Sequence, residues 1–112
     1  VFQGGHGTIY ASDGRHRSNP EINYGTGGLL QGKKYIITTS WNAPEGAFTL
    51  KDEFMQQVSV DDGVLFGFHK AMKFVGLEKI NGFHFHDIAK GGTPERIEAY
   101  RQAYQQHLEQ VI

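Results

Sequence analysis

Tyr35-Ile36-Ile37-Thr38-Thr39 is a run of β-branched and aromatic residues with no polar alternation. A half-exposed strand alternates; this run instead describes a strand covered on both faces, as in a parallel sheet between helices. It belongs to the segment Lys33–Pro44, KKYIITTSWNAP. Ser40, Trp41, Asn42 and Ala43 leave its carboxyl end, and Pro44 helps to stop it. Open α/β sheets bind ligands in the crevice outside those ends. Backbone N–H groups, an amide and an indole in one turn suit a flat, hydrogen-bonding heterocycle. The plainer reading is an ordinary strand-to-helix loop with a buried tryptophan.

A length of 112 residues with 38% apolar content allows one folding unit with a modest core. Eleven basic and twelve acidic residues give a formal charge of -1, so no chain-wide field favours nucleic acid or an anionic membrane. The absence of cysteine excludes disulfides, thiolate zinc sites and a thiol nucleophile. Any redox chemistry must therefore reside in a bound cofactor. No apolar run approaches the roughly 18 to 20 residues of a membrane span, and no signal-peptide pattern opens the chain, so a soluble cytoplasmic protein is expected.

Residues 1–32 are rich in Gly, Ser, Asn and Asp and show no sustained period. They are expected to form a long loop, with a helical end at Val1 and Phe2 and turns at Asp13-Gly14 and Asn19-Pro20. Loops of this length are usually functional or disordered, and Tyr10 and Tyr24 favour function. Thr49, with Asp52 three residues on, resembles a capping box that opens a short helix carrying Leu50, Phe54 and Met55. Val64, Leu65, Phe68, Ala71, Met72 and Val75 recur at helical spacing after Asp61-Asp62-Gly63; the acidic residues at the start and lysines later agree with a helix dipole, and Gly76 supplies a stop. Lys79–Ile88 sets Phe83 and Phe85 against His84 and His86, as a strand with one more polar side does. Thr93 as N-cap and Pro94 as first helical residue open a last helix with Ile97, Tyr100, Tyr104, Leu108 and Val111 on one face. The order is loop, strand, helices, strand, helix. Two strands are thin for a sheet, so further strands are expected before Val1 or from another chain.

The strings GHGTIYASDGR (Gly5–Arg15), YGTGGLLQGKKY (Tyr24–Tyr35), TSWNAP (Thr39–Pro44) and FHKAMKFVG (Phe68–Gly76) resemble, over nearly the whole chain, the C-terminal part of the flavodoxin-like NAD(P)H quinone reductases, most closely the bacterial modulator of drug activity B group. The resemblance implies residues 1–112 as the C-terminal segment of one domain, an α/β doubly wound parallel sheet with helices on both faces. It implies a homodimer that holds FAD and passes hydride from NAD(P)H to a quinone. Carried over residue by residue, the flavin-contacting turn falls on Ser40, Trp41, Asn42 and Ala43, with Ser40 where relatives often have Thr; Tyr24 matches a tyrosine beside the flavin. The family's first strand, its diphosphate loop and the aromatic turn over the other flavin face have no counterpart here. Where mammalian relatives carry a Tyr and His pair, this chain offers Phe48 and Phe54, so no catalytic acid or base is nominated.

Other features have sharper and plainer readings. His84 and His86, with Asp87 beside them, project from one strand face and could bind a divalent metal with His69 or His6; partly buried histidines are the plainer reading, and no metal is assigned. Gly25–Gly28 could cradle phosphate but lacks the strand and helix that such a loop needs. Arg15 and Arg17 could meet an NADPH phosphate or simply be solvated. The alternative to an enzyme is an α/β interaction module that pairs through an exposed sheet edge.

Overall fold

A computed structural model describes residues 3–112; the helical end expected at Val1 and Phe2 lies outside the described residues. After a single 3-10 turn at Gln3–Gly5, the elements are β1 (Lys34–Tyr35), β2 (Thr38–Ser40), α1 (Gly46–Thr49), α2 (Phe66–Phe74), β3 (Glu78–Lys79), β4 (Phe83–Phe85) and α3 (Pro94–Val111). The chain divides into two compact units, the residues up to Tyr35 with Leu65–Lys79, and Ile36–Val64 with Ile80–Ile112.

The first unit pairs β1 and β3 in parallel, with Lys34 opposite Glu78 and Tyr35 opposite Lys79. Helix α2 packs on β3. Its end obeys the sequence: Gly76 takes φ +97°, its N–H donates to the Lys73 carbonyl (2.9 Å), and the Leu77 N–H donates to the Met72 carbonyl (3.1 Å). These are the two bonds of a Schellman stop, whose left-handed residue is usually glycine because a Cβ is disfavoured there. Its start differs from expectation, because the first turn holds no acidic residue and Leu65 provides no side-chain cap. The long loop is hydrogen-bonded to itself. The Ala11 N–H donates to the Gly27 carbonyl (2.8 Å), Gly25 to Asp13 (2.7 Å) and Leu29 to Ile9 (2.9 Å), so residues 9–13 and 25–29 run together. Gly27 and Gly28 make this possible: a Cβ on the first would lie 2.0 Å from the Ser12 carbonyl oxygen, and one on the second 2.1 Å from the Val75 carbonyl carbon. These two glycines thus serve close backbone approach, and nothing in their placement forms a phosphate cradle.

The second unit pairs β2 and β4 in parallel, Thr38 opposite Phe83, Thr39 opposite His84 and Ser40 opposite Phe85. Each expected long strand is broken into two short ones. At the break, the Phe83 N–H donates to the Ile37 carbonyl (3.2 Å), and Gly82 lies so close that a Cβ would stand 2.3 Å from that oxygen. Nor is the run Tyr35–Thr39 covered on both faces, since Thr38 is exposed and its neighbours are half-buried. The helix expected from Thr49 is overturned as well. Helix α1 ends there, the Thr49 hydroxyl donates back to the Glu45 carbonyl (3.2 Å), and Asp52, Gln56 and Gln57 take positive φ, which no right-handed helix accommodates.

Helix α3 follows its signals. Pro94 is its first residue and the Thr93 hydroxyl accepts the Arg96 N–H (3.2 Å). Tyr100 and Tyr104 lay their rings on Phe83 and Phe85 with centroids 5.3–6.3 Å apart. On its solvent side, hydrogen bonds from Arg101 and then Gln102 hold the Glu98 carboxyl at about 2, against an ordinary 4.5. A depressed carboxyl pKa means stabilisation that is complete above the ordinary value and fades as pH falls towards the native one. Glu98→Gln is therefore expected to be less stable than the wild type at pH 7 and to lose that difference as pH falls through about 2, as thermal melts across that range would show; a pH-independent difference would refute the pairing.

Among the described residues, buried apolar side chains are confined to Phe48, Val60 and Val75, while Tyr24 is 69% and Phe54 89% exposed. No helix among them is long and apolar enough to cross a membrane.

Candidate functional site

The turn after β2 is built by the carboxyl ends of two parallel strands. The Trp41 N–H continues the ladder by donating to the Phe85 carbonyl (2.8 Å), and the chain beyond β4 returns two bonds, from Ile88 N–H to the Trp41 carbonyl (3.3 Å) and from Asp87 N–H to the Ala43 carbonyl (3.2 Å). His86 is buried and its Nδ1 donates to the same Ala43 oxygen (3.3 Å), since a carbonyl can only accept. The carbonyl side of the turn is thereby tied down. Its amide side is open: among the described residues none accepts from the backbone N–H of Asn42 or Ala43, nor bonds the Asn42 side chain. Ser40 and Asn42 are exposed and Ala43 half-buried.

Trp41 is half-buried, not tucked into an interior. Its Nε1–H donates to the Thr39 hydroxyl (2.7 Å) and its ring meets Phe48 edge-on, centroids 5.8 Å apart. Phe48 in turn packs on the His86 ring at 5.3 Å. The turn therefore combines an aromatic wall with unspent N–H donors. That donor set fits the carbonyl and imine edge of a flavin ring, which offers acceptors in a row.

Ser40, Trp41, Asn42 and Ala43 all stand in this turn, whereas Tyr24 belongs to the other unit. There its exposed ring lies against Phe74, centroids 5.6 Å apart, with the Arg15 guanidinium 5.9 Å above it. Arg15 itself is paired with Asp13 (2.8 Å), whose hydrogen-bonded carboxyl is held below its ordinary pKa; Arg15 is thus already engaged by a carboxylate.

The histidines are dispersed into separate tasks. His84 bonds Thr39 and Asp61, His86 bonds Ala43, and His69 bonds the Tyr35 hydroxyl in the first unit. Asp87 faces Gly91 and Arg96. Among the described residues no group of three His, Cys, Asp or Glu is placed to hold a metal. A cavity of about 600 Å³ lies in the first unit beside Tyr35, His69 and the lysines 70, 73 and 79, and none of the five expected site residues lines it. Of these lysines, Lys73 stands in the last turn of α2, where a cation complements the helix dipole. Sequence reasoning misses the attachment of Asp61 to His84, because an acidic residue ahead of a helix suggests only a helix dipole.

Comparison with known proteins adds the family. Residues 1–108 match a family described as having the flavodoxin-like fold. The chain is 47% identical over 113 residues to the NADPH:quinone oxidoreductase MdaB of Haemophilus influenzae, covering all of this chain and 56% of that protein. It is 40% identical over 112 residues to an uncharacterized protein of Schizosaccharomyces pombe, covering all of this chain and 55% of the relative. The chain thus spans about half the length of the curated relatives it matches.

Proposed function

The chain belongs to the flavodoxin-like fold family, and on that footing we propose that it is the C-terminal, flavin-facing part of an FAD-dependent NAD(P)H:quinone oxidoreductase. The observation that carries the reading is the turn at 40–43, whose Asn42 and Ala43 N–H groups have no partner among the described residues and whose neighbour Trp41 presents an indole fixed by two contacts. FAD, when bound, supplies the two-electron chemistry between nicotinamide and quinone. The chain's own residues do the rest. The Asn42 and Ala43 amides orient the ring edge and favour negative charge upon it, the Asn42 side chain adds a polar contact, and Ser40 closes the strand end. Trp41 excludes water from one side. Tyr24 is proposed as a flavin contact on separate grounds, an exposed ring steadied by Phe74. No side chain is assigned as catalytic acid or base, because alignment of two rings is the main demand of hydride transfer. The form proposed is a cytoplasmic homodimer, on the strength of the family resemblance alone.

Titration with FAD, followed by visible absorbance and flavin fluorescence, tests this directly. Saturable quenching at micromolar protein is expected, with Asn42→Ala weakening affinity about tenfold, the worth of one or two hydrogen bonds to a polar ring edge. No spectral change at those concentrations would reject flavin binding by this chain.

A second reading, an interaction module, is favoured by one observation: among the described residues β1, β2, β3 and β4 are each paired on a single side, which leaves each with a free edge there. Light scattering that shows a stable oligomer without cofactor, together with a flat FAD titration, would select it.

A further inference from the structure

We propose that Asp61, His84 and Thr39 are positioning residues that fix the Trp41 indole beside the turn; the purpose of that placement, a flavin wall, rests on the reading above. The direction of each bond follows from what each group can donate. An indole Nε1–H can only donate, so at 2.7 Å the Thr39 hydroxyl oxygen accepts from Trp41. The single hydrogen of that hydroxyl is then directed to the other heavy atom in reach, His84 Nδ1, at 2.5 Å. With Nδ1 accepting, the proton of a neutral His84 ring resides on Nε2, where Asp61 Oδ2 stands 3.1 Å away as acceptor. Placing that proton on Nδ1 instead would aim a lone pair of Nε2 at a carboxylate. The chain Trp41 to Thr39 to His84 to Asp61 therefore has one arrangement that satisfies every neutral donor and the carboxylate together.

The fold supplies this register without strain. Thr39 and His84 are direct partners in the parallel ladder, and Asp61 comes from the segment that joins α1 to α2. His84 is well shielded, with 15% of its side chain exposed, so water competes poorly for its bonds. Phe48 closes on the indole as well. A ring held by one hydrogen bond and one edge contact keeps a single orientation only while its acceptor stays put. Asp61 and His84 are what keep the Thr39 oxygen turned towards the indole.

Trp41 is the chain's single tryptophan, so its indole proton gives one resonance that reports on the relay with no cofactor present. In the ligand-free protein, Thr39→Val is expected to move that resonance upfield and to speed its solvent exchange about fivefold to tenfold. His84→Phe and Asp61→Asn should each move it in the same direction by a smaller amount, and Thr39→Ser should restore the wild-type signal. FAD affinity should fall in the same order. Wild-type indole shift and exchange in both the His84 and Asp61 variants would overturn the proposal, as would failure of Thr39→Ser to rescue. If the indole responds as expected while the wild type takes up no FAD, the relay stands and the flavin reading falls. Far-ultraviolet circular dichroism on each variant separates a lost relay from a lost fold, and Thr39→Ser keeps the test decisive if the valine variant does not fold.

Discussion

Gly28→Ala is expected to destabilise the first unit by about 1–3 kcal/mol, the usual range for forcing a methyl into a filled space, and to sit at its upper end. The reason is the identity of what the methyl would strike. Its three nearest atoms are the Val75 carbonyl carbon and oxygen and the Gly76 nitrogen, at 2.1–2.4 Å, all backbone and none able to swing aside. Gly28 does not take a positive φ, so alanine could adopt its conformation and the effect is packing alone. Two residues on, the Leu30 N–H donates to that same Val75 carbonyl (3.0 Å), and Val75 is 2% exposed. Urea unfolding should show the lower midpoint. Hydrogen exchange should show faster exchange at the Leu30 amide, with the Trp41 amide in the other unit changed less. An unaltered midpoint would mean that the loop does not lie against α2 as described.

Arg96→Ala is expected to cost the second unit about 2–4 kcal/mol, because one guanidinium serves three carbonyls that have to turn a corner together. Its Nη1 donates to the carbonyls of Asp87 (2.6 Å) and Gly91 (3.0 Å) and its Nη2 to that of His86 (2.9 Å), with the Asp87 carboxylate 3.9 Å away. The side chain is 36% exposed, so the ion pair itself adds little and the backbone bonds dominate. Asp87 takes φ +52° in this turn, a conformation that needs such outside support. Arg96→Lys should recover less than half of the loss, since an ammonium cannot fork to several carbonyls at once. Full recovery by lysine would show that charge, not geometry, holds the turn. Because His86 and Asp87 also bond the Ala43 carbonyl, loosening this corner should weaken FAD uptake in parallel.

Both positions show how unevenly the structure could be read from residues alone. Thr93-Pro94 marked the start of α3 to the residue, and Gly76 marked the end of α2, because a cap is a local bond between neighbours in sequence. The parallel pairing of the two β-segments was also legible, from their composition and the helix between them. The helix expected after Thr49 failed because a Thr and an Asp at the right spacing do not reveal that the Thr hydroxyl is already bonded back to Glu45, or that Asp52 turns left-handed. The continuous strands failed because the close approach of Gly82 to Ile37 is a property of two segments, not of either one.

The candidate site divides in the same way. The turn at Ser40–Ala43 was legible from residue types at a strand end, yet which of its backbone N–H and carbonyl groups are spent was not, because Phe85, His86, Asp87 and Ile88 decide that from some 45 residues away. Asp61 looked like a partner for a helix dipole and instead bonds His84, which links it through Thr39 to Trp41. The order of amino acids by itself determined the α/β class, the last helix with its cap, the glycine stop of α2 and the turn that leaves the end of β2. Tertiary structure alone decided where the strands break, why Gly27 and Gly28 have no side chains, and which donors remain unspent. Caps and periods act between neighbours along the chain, whereas close approach and hydrogen-bond saturation are fixed only when distant segments meet.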